Sequence, residues 1–162
     1  MNDYVCIGKV VNTHGIKGEF RILSNFELKE KVFIVNNSIY IGEDLEEYKI
    51  LTYRHHKNFE MITVNNINDI NEAIRFKGLK VYFKRSDLNY NGYLIDDLLN
   101  CEVIEDNKVL GKVNDIIYNN SNTLLKVSGV KDFYIPIKAN FIIKVDKEGK
   151  KLYTTGAKDL IL

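Results

Sequence analysis

Three titratable side chains, His14, Lys17 and Glu19, lie in the short stretch Thr13-His14-Gly15-Ile16-Lys17-Gly18-Glu19. An imidazole near a carboxylate is the material of general acid–base catalysis, with His14 as base and Glu19 as the group that orients it. That chemistry also needs a nucleophile or a substrate pocket within hydrogen-bond reach, and no motif supplies one. No Ser sits in a glycine-flanked nucleophile turn, and neither Cys is followed by a suitable partner. Gly15-x-x-Gly18 lacks both the Lys-Ser/Thr of a phosphate loop and the third glycine of a dinucleotide fingerprint, and a strand pattern follows it. The trio therefore reads either as ordinary solvated charge or as a polar rim offered to a partner. Gly15 and Gly18 let the loop that carries it fold tightly.

Other candidates are weaker. Arg54-His55-His56-Lys57 is a basic turn, suited to RNA phosphate, to an acidic protein rim, or simply to solvent. Adjacent strand residues face opposite ways, so its two histidines do not converge on a metal. Asp96-Asp97 resembles an acid/base pair, but an Asp capping a short turn is the more economical reading. Pro136, the only proline, marks the edge or exit of a strand. Tyr90, Tyr93, Tyr118 and Tyr134 gather in or near the second half, where some of them offer a contact patch of the kind common at protein interfaces. Cys6 and Cys101 sit in separate apolar runs and read as buried, reduced thiols. No zinc site, other metal or cofactor is expected.

Short strands must position these residues. Residues 4–11 and 19–24 flank the glycine loop, Lys31–Val35 and Ile39–Ile41 suggest a hairpin about Asn36-Asn37, and 47–54 and 59–64 flank the basic turn. One helix is expected, capped by Asn68, with Ile70, Ala73 and Ile74 as its apolar face and Gly78 as its end. Leu79–Phe83 returns as a strand, and the whole suggests a small barrel. Polar, turn-forming residues at 84–93 break the alternation. The expected domains are 1–84 and 94–162, with 85–93 as connector. In the second, strands are expected at 101–105, 109–118, 123–127, 133–137, 142–145 and 151–154, with a polar turn at Asn119–Asn122 and a helical end at Lys158–Leu162. The fold class is all-β, mainly strand with one or two short helices.

Composition excludes several function classes. A chain of 162 residues with 45% hydrophobic and 28% charged residues is globular rather than disordered. No run approaches the roughly 20 apolar residues of a membrane span, and Met1-Asn2-Asp3 leads straight into a strand pattern without an export signal, so the cytoplasm is expected. Twelve basic and 11 acidic residues stand up to Lys84, and 11 of each after it, for a net charge of +1. A protein that bound chiefly by neutralising phosphates would show a strong basic excess. Nucleic acid as sole partner is thus disfavoured, while a local basic rim or a protein partner remains open.

Val10-Val11-Asn12-Thr13-His14-Gly15-Ile16-Lys17-Gly18-Glu19-Phe20-Arg21 closely resembles the N-terminal signature of the bacterial ribosome maturation factor RimM family. The resemblance continues in order through Arg54–Lys57, the segment Asn68–Gly78, Asp97-Leu98-Leu99, Leu110-Gly111-Lys112-Val113, Ile135-Pro136 and Val145-Asp146. It departs at Asn100, where the family commonly has Gly, and at Tyr93-Leu94, where an aromatic pair is often seen. The resemblance implies two small β-barrels in tandem, the first like barrels of translation factors and the second a PRC-barrel. It also implies a non-enzymatic assembly factor that binds the immature 30S subunit head. Its partners there would be small-subunit ribosomal protein nineteen and nearby 16S rRNA, and a monomer is expected. The partner-binding residues expected are Thr13, His14, Gly15, Lys17, Gly18, Glu19, Arg54 and Lys57 in the first barrel, and Tyr93, Asp97 and Pro136 in the second. The alternative is a stand-alone RNA-binding β-barrel.

Overall fold

The computed structural model describes residues 3–118 and 122–161. Residues up to Tyr90 form one compact unit, and those from Asn91 onward a second.

In the first unit, β1 (Tyr4–His14), β2 (Glu19–Leu23), β3 (Ser38–Ile41), β4 (Glu46–His56), β5 (Phe59–Val64) and β6 (Lys80–Lys84) close into a barrel. The order around it is β1-β2-β5-β4-β3-β6, and each pairing is antiparallel. The alternation in β2 sends Phe20 and Ile22 into the core and Arg21 to the outer wall. β1 and β4, 11 residues each, carry register shifts at Val10/Asn12, Cys6/Gly8 and Ile50/Thr52. Such bulges bend long strands enough for so small a sheet to close. Phe76 plugs the interior, its ring 5.2 Å from that of Phe20 and 5.5 Å from that of Tyr48.

Two local expectations need correction. Lys31–Val35, read as a strand, does not join the sheet: Lys29–Val32 makes a single helical turn, α1. Val32 and Phe33 are buried while Ile34 and Val35 are nearly half exposed. Asn37 Nδ2 donates to the carbonyls of Lys31 and Val32, satisfying acceptors that the short turn leaves open. So short an apolar run carries no period that separates strand from helix. β3 accordingly pairs with β4 and β6. The second correction concerns α2 (Ile70–Ala73), which continues as a 3-10 turn to Phe76. Its cap is Asp69, whose Oδ1 accepts from the Glu72 N–H at 2.9 Å, and not Asn68. Asn68 instead donates its backbone N–H to Glu72 Oε1, so the two acidic side chains brace the same turn.

The second unit contains β7 (Glu102–Glu105), β8 (Lys108–Ile117), β9 (Leu124–Ser128), β10 (Phe133–Pro136), β11 (Ile142–Asp146) and β12 (Lys151–Thr154). They form one six-stranded sheet in the order β10-β9-β8-β7-β12-β11, in which β7 and β12 run parallel. Val103, Val113, Leu125, Val127, Ile135 and Leu152 bury their side chains on one face, joined by Leu98 and Phe133. Glu105 is buried with its carboxylate accepting from Thr154 Oγ1 at 2.9 Å, Ala157 N–H at 2.8 Å and Lys158 N–H at 3.4 Å. It thereby anchors the final 3-10 turn, Ala157–Leu160, to β7. Of the expected turn at Asn119–Asn122 only its last residue is described, and Leu162 of the expected helical end also lies outside the described residues. Pro136 closes β10, the edge strand, where a missing donor costs no ladder bond.

Candidate partner-binding surface around the glycine loop

The loop between β1 and β2 is held from two sides. Gly18 N–H donates to Gly15 O at 3.3 Å, and the Ile16 carbonyl accepts from Ile70 N–H at 3.0 Å, docking the loop on the start of α2. Both glycines have positive φ, +75° and +78°. Their surroundings differ. A Cβ on Gly15 would meet nothing within 4 Å, whereas one on Gly18 would lie 2.6 Å from the Asp69 carbonyl oxygen. Gly18 thus lets the loop touch the helix, and Gly15 only turns the chain.

The loop is a rigid mount. It offers the exposed side chains of His14, Ile16 and Lys17, with Thr13 and Glu19 partly exposed beside them. Ile16 is 81% exposed, and Ile70 and Ile74, four residues apart beneath the loop, are 37% and 58% exposed. The sequence reading gave Ile16 no role and placed Ile70 and Ile74 on the apolar face of a helix. Their exposure follows from a tertiary docking that no local pattern announces.

Glu19 pairs with Arg54 rather than with His14. Arg54 Nε donates to Oε2 at 3.0 Å and Nη2 to Oε1 at 2.8 Å. The Arg54 guanidinium holds the Glu19 carboxyl below the usual carboxylate range. His14 faces Glu19 across the β1–β2 ladder, but its Nδ1 lies 3.4 Å from Arg21 Nη2. Arginine has no acceptor, so in this contact the guanidinium donates. The base–carboxylate pairing that catalysis would require is not assembled.

Lys57 sits in the β4–β5 turn with φ +56°. Glu60, three residues on, pairs with Ile22, toward the end of β2 remote from the glycine loop. Lys57 is therefore not part of the rim formed by Thr13, His14, Lys17, Glu19 and Arg54. Near that turn is a cluster absent from the sequence reading. Buried Glu60 accepts from Tyr53 Oη at 2.6 Å and contacts His55 Nδ1 at 3.0 Å, with Lys29 Nζ at 3.9 Å. A lone glutamate amid the apolar β5 was the only signal.

In the second unit neither member of the Asp pair precedes the 3-10 turn Ile95–Leu98, where Leu94 stands; Asp97, third in the turn, braces it by reaching back, its Oδ2 accepting from Leu94 N–H at 2.7 Å. Its neighbour Asp96 accepts from Tyr118 Oη at 2.8 Å. Tyr93 and Tyr134 are exposed. Cys101 is buried, its Sγ donates to Asp97 O, and burial pushes the thiol up. Cys6 is half-buried, and it forms no disulfide with Cys101.

A family model described as the RimM N-terminal domain matches residues 5–88, and another described as the RimM PRC barrel domain matches residues 95–160. The chain belongs to the RimM family. Among its relatives are the ribosome maturation factor RimM of an Exiguobacterium species, 31% identical over 98% of this chain and 97% of the relative. That of Staphylococcus aureus is 33% identical over 96% and 97%. The solution structure of the N-terminal domain of RimM from Thermus thermophilus covers 56% of this chain and 100% of its own, at 19% identity and a TM-score of 0.48. The departure from the RimM pattern at Asn100 has a backbone explanation. Asn100 has φ +69°, the left-handed conformation that glycine adopts freely and that asparagine tolerates better than other residues.

Proposed function

We propose that this chain is a ribosome maturation factor that binds the immature 30S subunit head through small-subunit ribosomal protein nineteen and adjacent 16S rRNA. Kinship over nearly the whole chain with proteins named ribosome maturation factors carries this reading. Near-neutral charge agrees with it, since a mixed-charge surface can meet a basic ribosomal protein while touching RNA locally. The contacts from the first barrel are Thr13, His14, Lys17, Glu19 and Arg54 around the loop that Gly15 and Gly18 make possible, with Lys57 a separate contact on the β4–β5 turn. Tyr93, Asp97 and Pro136 contribute contacts or shape in the second unit. The two domains, 1–84 and 94–162, act as binding modules joined by 85–93.

The mechanism is binding without chemistry. The factor favours one arrangement of ribosomal protein and head rRNA, shifts its population, and leaves when mature contacts displace it. The factor works as a monomer in the cytoplasm; among the described residues no helix is long and apolar enough to cross a membrane.

Binding of the purified chain to isolated small-subunit ribosomal protein nineteen, followed by calorimetry, tests the reading. A one-to-one complex is expected, and no heat of binding would refute it. The stand-alone RNA-binding barrel predicts tight binding to naked rRNA with a steep salt dependence, whereas our reading predicts weak binding there.

A further inference from the structure

The charges of the first unit are segregated around its barrel. Glu43, Asp44, Glu46 and Glu47 crowd the turn into β4 and the start of that strand, where all but Glu46 and Glu47 precede its first residues and every one is solvent-accessible. A different wall collects cations. Cross-strand partners share a face, so the pairings Lys80↔Lys9 and Lys9↔Leu23 put two lysines and an exposed leucine on one outward file. The next file runs Asn12↔Arg21, Arg21↔Met61, Met61↔Arg54. His14 flanks it beside Arg21, and His56 pairs with Phe59. Beside Arg21 stands the carboxylate of Glu19, already taken at both oxygens by Arg54.

Arg21 is the centre of this wall. Its guanidinium lies over the Phe59 ring, 5.3 Å from the centroid. Its Nε is shielded from water and has no hydrogen-bond partner among the described residues. A buried unsatisfied donor is costly, and an oxyanion that draws the guanidinium outward would satisfy Nε and Nη2 together. We infer that the outer wall of β6-β1-β2-β5-β4, centred on Arg21 over Phe59, binds the sugar–phosphate backbone of a single-stranded RNA segment.

RNA fits this wall better than an acidic peptide. A forked guanidinium takes phosphate or carboxylate at two points alike, but only RNA brings a base that can lie on the outer face of the guanidinium, whose carbon sits 5.3 Å from the Phe59 centroid. Five strands at about 4.8 Å spacing spread the cations over about 19 Å, a length that a few nucleotides cross. The inference rests on the proposal that this chain touches rRNA, and it supplies the surface.

Fluorescence anisotropy of a labelled 12-nucleotide oligouridylate with the full chain, in 50 to 200 mM KCl, tests the assignment. About three phosphate contacts give a log–log salt slope near 2, shallow beside that of a dedicated RNA binder. Arg21→Gln should weaken binding about fivefold or more and lower the slope by about 0.7, and Lys9→Gln should lower the slope similarly. Arg21→Lys keeps the charge and the slope but loses part of the affinity. Lys131→Gln, in the second unit, should change nothing. Should Arg21→Gln fail to fold, amide shifts of the parent chain on adding the same RNA decide: His14, Arg21 and Phe59 should move. Unchanged binding in both Arg21→Gln and Lys9→Gln, shifts confined to other strands, or Arg21-dependent binding of an oligoglutamate in place of RNA would overturn the inference. Binding to ribosomal protein nineteen is measured without RNA and should survive Arg21→Gln, so the two proposals fail separately.

Discussion

Arg54 grips Glu19 at two points across the intervening strand β5, with Nε–Oε2 at 3.0 Å and Nη2–Oε1 at 2.8 Å. The pair joins β4 to the first residue of β2, where the glycine loop ends. A carboxylate held in this way is a structural tie and an occupied anion site.

The tie has a pH signature. With its carboxyl held below the ordinary 4.5 by Arg54, Glu19 adds stability that is complete above that value and fades as pH falls through the lower native one. Glu19→Gln should cost about 1 kcal/mol or less at pH 7, since the pair is partly solvated. The gap between parent and variant in urea unfolding should shrink steadily below pH 4.5. A gap that widens on acidification would contradict the assignment.

The two loop glycines should respond unequally. Gly15→Ala meets only the penalty of a left-handed alanine, about 1 kcal/mol, because the space around it is open. Gly18→Ala adds a clash with the Asp69 carbonyl, so a loss of about 2 kcal/mol or more is expected, together with loosening of α2. Denaturant melts and amide exchange at Ile70, whose N–H is held by Ile16 O, would show the difference. Equal losses would mean that the loop does not lean on the helix.

Tyr53 should be the last of several tyrosines to ionise. Burial and the hydrogen bond to Glu60 push its phenol up to about 12. A phenol raised in the native state contributes stability that is present below the ordinary 10.0 and lost as pH rises through about 12. In an alkaline absorbance titration, Tyr53→Phe should remove one phenolate from the far end of the curve. Loss of a tyrosine that titrates near 10 would contradict the Glu60 contact.

The sequence carried more of the fold than of the surface. Strands with alternating or β-branched runs, such as Glu19–Leu23 and Phe59–Val64, were readable because one face had to be buried. The loop was readable because two glycines three residues apart between apolar runs demand a turn. Lys31–Val35 misled because only Val32 and Phe33 of its apolar run are buried, in and just after the single helical turn α1, while Ile34 and Val35 stay nearly half exposed. Arg21 was passed over since an outward arginine in a strand looks like solvated surface. Its unsatisfied Nε and its seat on Phe59 exist only once β2 and β5 pair. The Glu60 cluster was missed for the same reason, as its partners Lys29, Tyr53 and His55 come from α1 and β4.

The central claim is that the chain rides on unfinished small subunits. Sedimentation of a cell extract through a sucrose gradient, with the chain followed by antibody, tests it most directly. The account predicts co-migration with immature 30S particles and absence from 70S ribosomes and polysomes. A chain that stays at the top of the gradient, or spreads evenly over mature ribosomes, would contradict it.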